Sequence, residues 1–164
     1  MFANAASTKK WLHILLETRI KDAQLPDVNR LVEYIFVYGT LRSGEANDIK
    51  ALAVRHGIAL PEYIGHASVR GYLHDFGNFP GLALDGRGVK VVGEIYQITS
   101  EFLPILDEIE EFYPGQPSLF ERLETAVKSG GQWLSCHVYL VDREDLRNCP
   151  LIGSGDWVAY RTGR

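Results

Sequence analysis

The residues at positions 36–42, Phe-Val-Tyr-Gly-Thr-Leu-Arg, have the types and order of a ligand-binding turn. An apolar strand leads directly into the turn. There Gly39 can adopt backbone angles closed to other residues and leave N–H groups accessible to a ligand. Tyr38 and Thr40 add a hydroxyl on each side of this glycine. A plain strand end followed by a tight turn explains the same residues equally well.

The second candidate group is the carboxylate of Glu110, on a helix predicted from residue 101 to about residue 112. At about 100° per residue, the apolar side chains on one face of this helix are Phe102, Leu106, Ile109 and Tyr113. Glu110 lies about 80° from this face and is the acid closest to it. Partial burial would raise the pKa of Glu110 toward the range useful for proton transfer at neutral pH. Alternatively, Glu110 lies on a rim and pairs with an arginine.

Sequence motifs for several other chemistries are absent. The chain has no glycine-rich phosphate-binding loop, no nucleophile elbow and no dinucleotide-binding fingerprint. Its 5 histidines show no paired metal-ligand spacing, and Cys136 and Cys149 do not form a Cys-x-x-Cys pair. We therefore predict that the protein uses no metal and no cofactor.

Composition restricts the class of protein and its partners. The chain has 164 residues, of which 46% are hydrophobic, enough for one globular domain. It has 17 basic and 21 acidic residues and no long basic run, so we expect no nucleic-acid partner. No apolar run approaches the roughly 18 residues of a membrane span, so we expect no membrane partner. Two cysteines cannot form a disulfide framework, and we expect a soluble protein of the reducing cytoplasm.

The N-terminal part of the chain predicts helices. Residues 8–22 have apolar side chains at helical spacing and predict an amphipathic helix that packs on the chain's own body or docks onto a partner. A second short helix is predicted to start near Asp27 and to include Val32. We therefore treat residues 1–33 as an N-terminal helical extension and residues 34–164 as the main domain.

The main domain predicts a small, strongly curved sheet. A helix capped by Asn47 and Asp48 is predicted to continue to His56, and residues 77–81 predict a loop. Besides the strand before Gly39, strands are predicted at residues 63–73, 89–98, 120–127 and 133–141. Glycines in turns and strand interiors are typical of closed antiparallel sheets.

Residues 37–42, with Asn47 shortly after them, resemble the opening signature of the γ-glutamylcyclotransferase-like (AIG2-like) family. Further features agree in the same order along the chain. They are Gly71-Tyr72-Leu73 with the loop Phe79-Pro80-Gly81, the strand Val92-Gly93-Glu94-Ile95-Tyr96, Leu106-Asp107-x-x-Glu110, and Ser154-Gly155-Asp156-Trp157. The resemblance extends from about residue 35 to residue 158.

The resemblance implies an α+β fold, a small closed and mostly antiparallel β-barrel with flanking helices. It also implies that the turn Tyr38, Gly39, Thr40 and Leu41 holds the α-carboxylate of a small-molecule γ-glutamyl substrate. Glu110 would then act as general acid and base. The α-amine of the γ-glutamyl group attacks its own γ-carbonyl, so the reaction releases pyroglutamate and a free amine without an enzyme nucleophile.

The chain departs from the family pattern after the catalytic helix. Many members have Tyr-x-Arg there, whereas this chain has Phe120-Glu121-Arg122 and lacks that hydroxyl. We expect Phe120 and Arg122 to contact substrate, and Trp133 to line or support the site, although packing and a surface charge explain Arg122 and Trp133 equally well. A binding module without catalysis, using the same turn to hold a small carboxylate or amide, is the alternative function.

Overall fold

A six-stranded sheet forms most of the computed structural model, which describes residues 31–163. Its strands are β1 (Val32–Val37), β2 (Glu62–Asp75), β3 (Pro80–Leu84), β4 (Val89–Thr99), β5 (Phe120–Ser129) and β6 (Gln132–Val141). Their order in the sheet is β3-β2-β4-β1-β6-β5. Neighbouring strands are antiparallel, except that β1 and β6 are parallel where Ile35 faces His137.

The predicted barrel-like α+β fold is confirmed in the form of a half-barrel. The sheet curls because β2 is long and has a bulge between Tyr63 and Gly65, which increases local twist. This curvature brings β2 against β5, and a Cβ atom on Gly65 would lie 3.1 Å from Ser129 Oγ. Strands β3 and β5 are the two edges, and within residues 31–163 no hydrogen-bonded ladder joins them.

Strand β1 begins earlier than the sequence pattern predicts. The amphipathic helix predicted at residues 8–22 and most of the second predicted helix lie outside the described residues. Val32, assigned by its pattern to that second helix, instead pairs with Thr99 at the start of β1, so this part of the prediction is wrong. The ladder with β4 determines the backbone conformation here, and local periodicity does not. β3 likewise begins at Pro80, within the predicted 77–81 loop.

The carboxyl end of β1 is buried on both faces. Ile35 and Val37 belong to one hydrophobic cluster, and Phe36 and Tyr38 belong to the other. Successive side chains of a strand point to opposite faces, so the two clusters lie on either side of the sheet. The end of β1 is therefore clamped between two packed layers.

Three short α-helices flank the sheet: α1 (Ile49–His56), α2 (Leu103–Ile109), which follows a 3₁₀ turn at Ser100–Phe102, and α3 (Trp157–Thr162). Asp48 caps α1 as predicted, because its carboxylate accepts hydrogen bonds from the N–H groups of Lys50 and Ala51. None of the helices within residues 31–163 is long and apolar enough to cross a membrane.

Helix α2 ends before the predicted residue 112. Glu111 has a φ of 53°, the left-handed conformation that terminates a helix. The N–H of Phe112 then donates to the carbonyl of Asp107 at 2.8 Å. Tyr113, predicted on the buried face of the helix, is consequently 46% exposed. The predicted burial of Phe102 and Leu106 is observed, since both are fully buried.

Candidate active site

A small cavity of about 30 Å³ lies at the carboxyl end of β1. It is lined by Phe36, Val37, Tyr38, Gly39, Thr40, Leu41, Phe79, Pro80, Glu110, Phe120 and Tyr139. The turn 38–41, Glu110 and Phe120 come from three separate segments of the chain, and the fold brings them to one cavity. Arg122 and Trp133, the other two candidates, are not among the residues that line it.

The turn after β1 lines this cavity and is held by backbone hydrogen bonds. The carbonyl oxygen of Gly39 accepts a hydrogen bond from the N–H of Arg42 at 3.0 Å, and that of Thr40 accepts one from the N–H of Asn47 at 2.9 Å. Among the described residues, no backbone hydrogen bond of the turns and loops has the N–H group of Thr40 or of Leu41 as its donor. Consecutive N–H groups of this kind are typical of anion-binding turns.

Gly39 is required at this turn for a different reason from the one predicted. It is absent from the glycines with positive φ, so the prediction of unusual backbone angles is wrong. A Cβ atom at this position would instead lie 2.6 Å from Pro80 Cγ, closer than side chains pack. Glycine is needed because the turn and the start of β3 approach each other across the cavity wall.

A buried ion pair holds the far end of the turn. Arg42 Nε lies 3.2 Å from Glu94 Oε1, and Arg42 Nη1 lies 2.9 Å from Asp156 Oδ1. The other oxygen of Glu94 accepts hydrogen bonds from the Ser43 N–H at 3.1 Å and the Tyr96 hydroxyl at 2.8 Å. Arg42 and Glu94 are only 7% and 5% exposed, so removing Arg42 would leave the carboxylate of Glu94 as an uncompensated buried charge.

Glu110 is half-buried at the carboxyl end of α2 and lines the cavity. Its N–H donates to the carbonyl of Leu106 at 2.9 Å, which fixes its backbone. Among the described residues no cation pairs with its carboxylate, in contrast to the alternative in which an arginine does. Burial raises the pKa of Glu110 from 4.5 to about 7.

Two tyrosines next to the cavity are tied into the surrounding structure. The Tyr38 hydroxyl donates to the carbonyl of Tyr139 at 2.7 Å, and the Tyr139 hydroxyl donates to Asp107 Oδ1 at 2.8 Å. Burial, with a smaller contribution from the charge of Glu110, raises the pKa of Tyr38 well above its ordinary value. Burial, followed by the hydrogen bond to Asp107, also raises the pKa of Tyr139. Both phenols therefore stay protonated at neutral pH.

Arg122 contacts helix α2 from outside the cavity. Its guanidinium contacts Asp107 twice, with Nε 2.7 Å from Oδ1 and Nη2 3.1 Å from Oδ2. Its Nη1 lies 3.3 Å from His137 Nδ1. Since Asp107 belongs to α2 and Arg122 to β5, this bidentate contact ties the helix that carries Glu110 to the sheet.

Phe120 and Trp133 have different environments. Phe120 is 7% exposed in the cavity wall, and its ring centroid lies 5.7 Å from that of Phe79. It therefore gives the wall an apolar surface where many family members have a hydroxyl. Trp133 is 67% exposed at the other end of β6, beside Lys128, and belongs to the hairpin surface.

A wider outer cleft of about 660 Å³ adjoins the cavity. Thr40, Phe79, Glu110 and Phe120 line both spaces and so form the passage between them. The other residues of the outer cleft are Ala46, Asn47, Asn78, Ile109, Glu111, Tyr113, Pro117, Ser118 and Leu119. A ligand with an anionic end at the turn could therefore place its middle beside Glu110 and its other end in this cleft.

Several groups around the site were missed by the sequence analysis. Tyr139 lies in the cavity wall because β6 pairs in parallel with β1, and no local pattern indicates this neighbour. Glu94 and Asp156 were noted only as parts of motifs. Their spacing from Arg42 along the chain gives no sign that they contact it.

Comparison with known proteins identifies the family. The profile of the family described as "Gamma-glutamyl cyclotransferase, AIG2-like" matches residues 35–159. Gamma-L-glutamyl-butirosin B gamma-glutamyl cyclotransferase from Niallia circulans is 38% identical over 131 residues, 77% of this chain and 76% of the relative. Gamma-glutamylaminecyclotransferase from Bos taurus is 32% identical over 118 residues, 64% of this chain and 63% of the relative.

A solved structure agrees with these sequence matches. The crystal structure of an AIG2-like protein from Mus musculus superimposes with a TM-score of 0.59 at 27% identity, covering 73% of this chain and 85% of that one. The sequence match spans most of the half-barrel and includes both the turn and Glu110. The chain therefore belongs to the γ-glutamylcyclotransferase, AIG2-like, family of enzymes.

Proposed function

We propose that this protein converts γ-glutamyl amines or γ-glutamyl amino acids to pyroglutamate and the free amine, with Glu110 as general acid and base. The observation that carries the proposal is a carboxylate with a pKa of about 7 and no cationic partner among the described residues, in one cavity with the turn at residues 38–41. A general acid and base works best when its pKa lies near the working pH.

The substrate's α-carboxylate would accept hydrogen bonds from the N–H groups of Thr40 and Leu41. This contact holds the γ-glutamyl chain folded, so that its α-nitrogen lies against its own γ-carbonyl carbon. Ring closure is intramolecular, and holding the two reacting atoms together removes much of the entropic barrier. The apolar rings of Phe79 and Phe120 also line the cavity and would reduce the water around the reacting atoms.

Proton transfer completes the reaction without an enzyme nucleophile. The α-ammonium group first releases one proton to solvent, because only the neutral amine has the lone pair that attacks. As the α-nitrogen forms its bond to the γ-carbon, the carboxylate of Glu110 takes a second proton from that nitrogen, which keeps one hydrogen in the product ring. It then returns a proton to the amide nitrogen as the original carbon–nitrogen bond breaks. The products are pyroglutamate and a free amine, and Glu110 ends in the state in which it began.

Pyroglutamate release by the wild type and by Glu110→Gln tests this function. A panel of γ-glutamyl amines, γ-glutamyl amino acids and glutathione is incubated with each protein, and pyroglutamate is detected. We expect the variant to lose about 10²- to 10⁴-fold in kcat. The control is Glu108→Gln, an exposed position on the same helix, which should keep its activity.

Two results would contradict the proposal. One is a Glu110→Gln variant that releases pyroglutamate at the wild-type rate. The other is a wild type that forms no product from any substrate of the panel while these compounds still raise its melting temperature, which would favour a binding function.

A further inference from the structure

The outer cleft is the space that the leaving amine must enter, if the proposed function is correct. With the α-carboxylate at the turn and the γ-carbonyl beside Glu110, the amide nitrogen faces the passage between the two spaces. Thr40, Phe79, Glu110 and Phe120 border this passage. The substituent on that nitrogen therefore extends into the cleft, and the residues of the cleft choose which amines are accepted.

The charges on the wall of the cleft have one sign. Among the described residues that line it, Glu110 and Glu111 are the charged ones, and no lysine, arginine or histidine is present. Two arginines that follow the turn and the catalytic helix in sequence are paired elsewhere. Arg42 contacts Glu94 and Asp156, and Arg122 contacts Asp107. A carboxylate on the leaving amine would meet negative charge without a compensating cation.

Glu111 occupies a position where a glycine would be expected. Its φ of 53° places it at the left-handed residue that ends α2, and its N–H donates to the carbonyl of Glu108 at 3.2 Å. A glutamate is conformationally disfavoured there compared with glycine. Its side chain nevertheless supplies the second negative charge at the cleft, directly after Glu110 in the chain.

The remaining wall of the cleft also suits a cation. Tyr113 is 46% exposed and lines the cleft, where its ring can contact an ammonium group. Asn47, Asn78 and Ser118 provide neutral polar groups. Tyr113 lies in the cleft because α2 ends at Ile109, so the unusual conformation of Glu111 accounts for both features.

We propose that Glu111 selects γ-glutamyl substrates whose released amine carries a second, cationic nitrogen, such as a diamine or polyamine, over those that release an amino acid. The negative charge of Glu111 attracts the distant ammonium group and repels a carboxylate at the same distance. Specificity of this kind is a difference between two affinities, and repulsion of the wrong substrate contributes as much as attraction of the right one.

Three substrates of equal reach isolate the charge of the leaving group. They are the γ-glutamyl amides of 1,4-diaminobutane, 1-aminopentane and 5-aminopentanoate, whose far ends are an ammonium, a methyl and a carboxylate. We measure kcat/KM for pyroglutamate release at pH 7.5 and low ionic strength. The expected order is ammonium, then methyl, then carboxylate, with about tenfold between the first and the last. This is the scale of charge interactions with a solvent-exposed glutamate.

Glu111→Gln is the variant and Glu108→Gln is its matched control. Both remove one exposed carboxylate from the same short helix end and change the net charge equally, but Glu108 does not line the cleft. We expect the ammonium-to-carboxylate ratio of kcat/KM to fall about threefold or more in Glu111→Gln and to stay unchanged in Glu108→Gln. Because the ratio compares two substrates on one protein, a change in the protonation of Glu110 cancels.

The outcomes separate this inference from the proposed function. If the three substrates are converted at equal rates or in the reverse order, the charge selection is wrong and the cyclotransferase reaction stands. The same holds if Glu111→Gln and Glu108→Gln behave alike. If none of the three releases pyroglutamate but a γ-glutamyl amino acid or glutathione does, the charge selection is wrong and the reaction stands. If no compound of the wider panel releases pyroglutamate either, the proposed function is contradicted, and the inference with it. A ratio that shrinks in about 0.5 M salt would further support selection by charge.

Discussion

Replacing Glu110 by glutamine should make the fold more stable at alkaline pH. Burial raises the pKa of this carboxyl from 4.5 to about 7. At 1.36 kcal/mol for each pKa unit, ionising it in the folded protein costs about 3 kcal/mol more than in the unfolded chain. Glutamine has nearly the same shape and cannot ionise, so the variant avoids this cost.

The sign of the pH dependence follows from which state binds the proton more tightly. The folded protein does, because its pKa of about 7 exceeds the ordinary 4.5. The stability linked to Glu110 is therefore fully present below pH 4.5, and it is lost as the pH rises through about 7. Between pH 4.5 and 8.5 the wild type should lose about 3 kcal/mol that Glu110→Gln retains.

Thermal unfolding measures this effect when the Tm of Glu110→Gln is compared with that of the wild type at pH 4.5 and again at pH 8.5. For a chain of this size, about 3 kcal/mol corresponds to a shift in Tm of about 6 to 12 °C. The Tm of the variant minus that of the wild type should therefore be about 6 to 12 °C larger at pH 8.5 than at pH 4.5. Glu108→Gln, at an exposed site, should follow the wild type. If the two pH profiles of wild type and Glu110→Gln run parallel, Glu110 is not desolvated and the reasoning is refuted.

Two further substitutions test the geometry of the cavity. Gly39→Ala should destabilise the fold by about 1 to 3 kcal/mol and raise KM. The reason is that its Cβ atom would lie 2.6 Å from Pro80 Cγ. Gly86→Ala, with nothing within 4 Å of the new atom, is the control in urea unfolding and kinetics. Tyr139→Phe should lose about 1 to 2 kcal/mol in urea unfolding, because its hydroxyl donates to Asp107 at 2.8 Å. An unchanged unfolding midpoint would contradict that hydrogen bond.

The parts of the site that the sequence could predict are those with a local signal. The turn at 38–41 follows a continuous apolar strand, and Glu110 lies beside the apolar face of a helix whose Phe102 and Leu106 are fully buried. Both signals arise within a few residues, from the periodicity of strands and helices. The structure adds that these two segments line one cavity, which no local pattern contains.

The features that the sequence could not predict depend on contacts between distant segments. The role of Gly39 depends on Pro80, and the position of Tyr139 depends on the parallel pairing of β6 with β1. The early end of α2 is a different case. Helices usually end with a left-handed glycine, and a glutamate at residue 111 gives no such signal. The sequence pattern therefore predicts a longer helix and places Tyr113 on its buried face.

The division of charges around the site is consistent with the proposed role of Glu110 as a base. An arginine next to a carboxylate lowers its pKa by about one to three units, which would leave Glu110 too weak to accept a proton. Arg42 and Arg122, which follow the turn and the catalytic helix, are both held by other carboxylates, and the contact of Arg122 with Asp107 is bidentate. Asp107 therefore does more than brace α2. Its carboxylate also neutralises the guanidinium of Arg122, and burial is the cause of the raised pKa of Glu110 on which the proposed proton transfer depends.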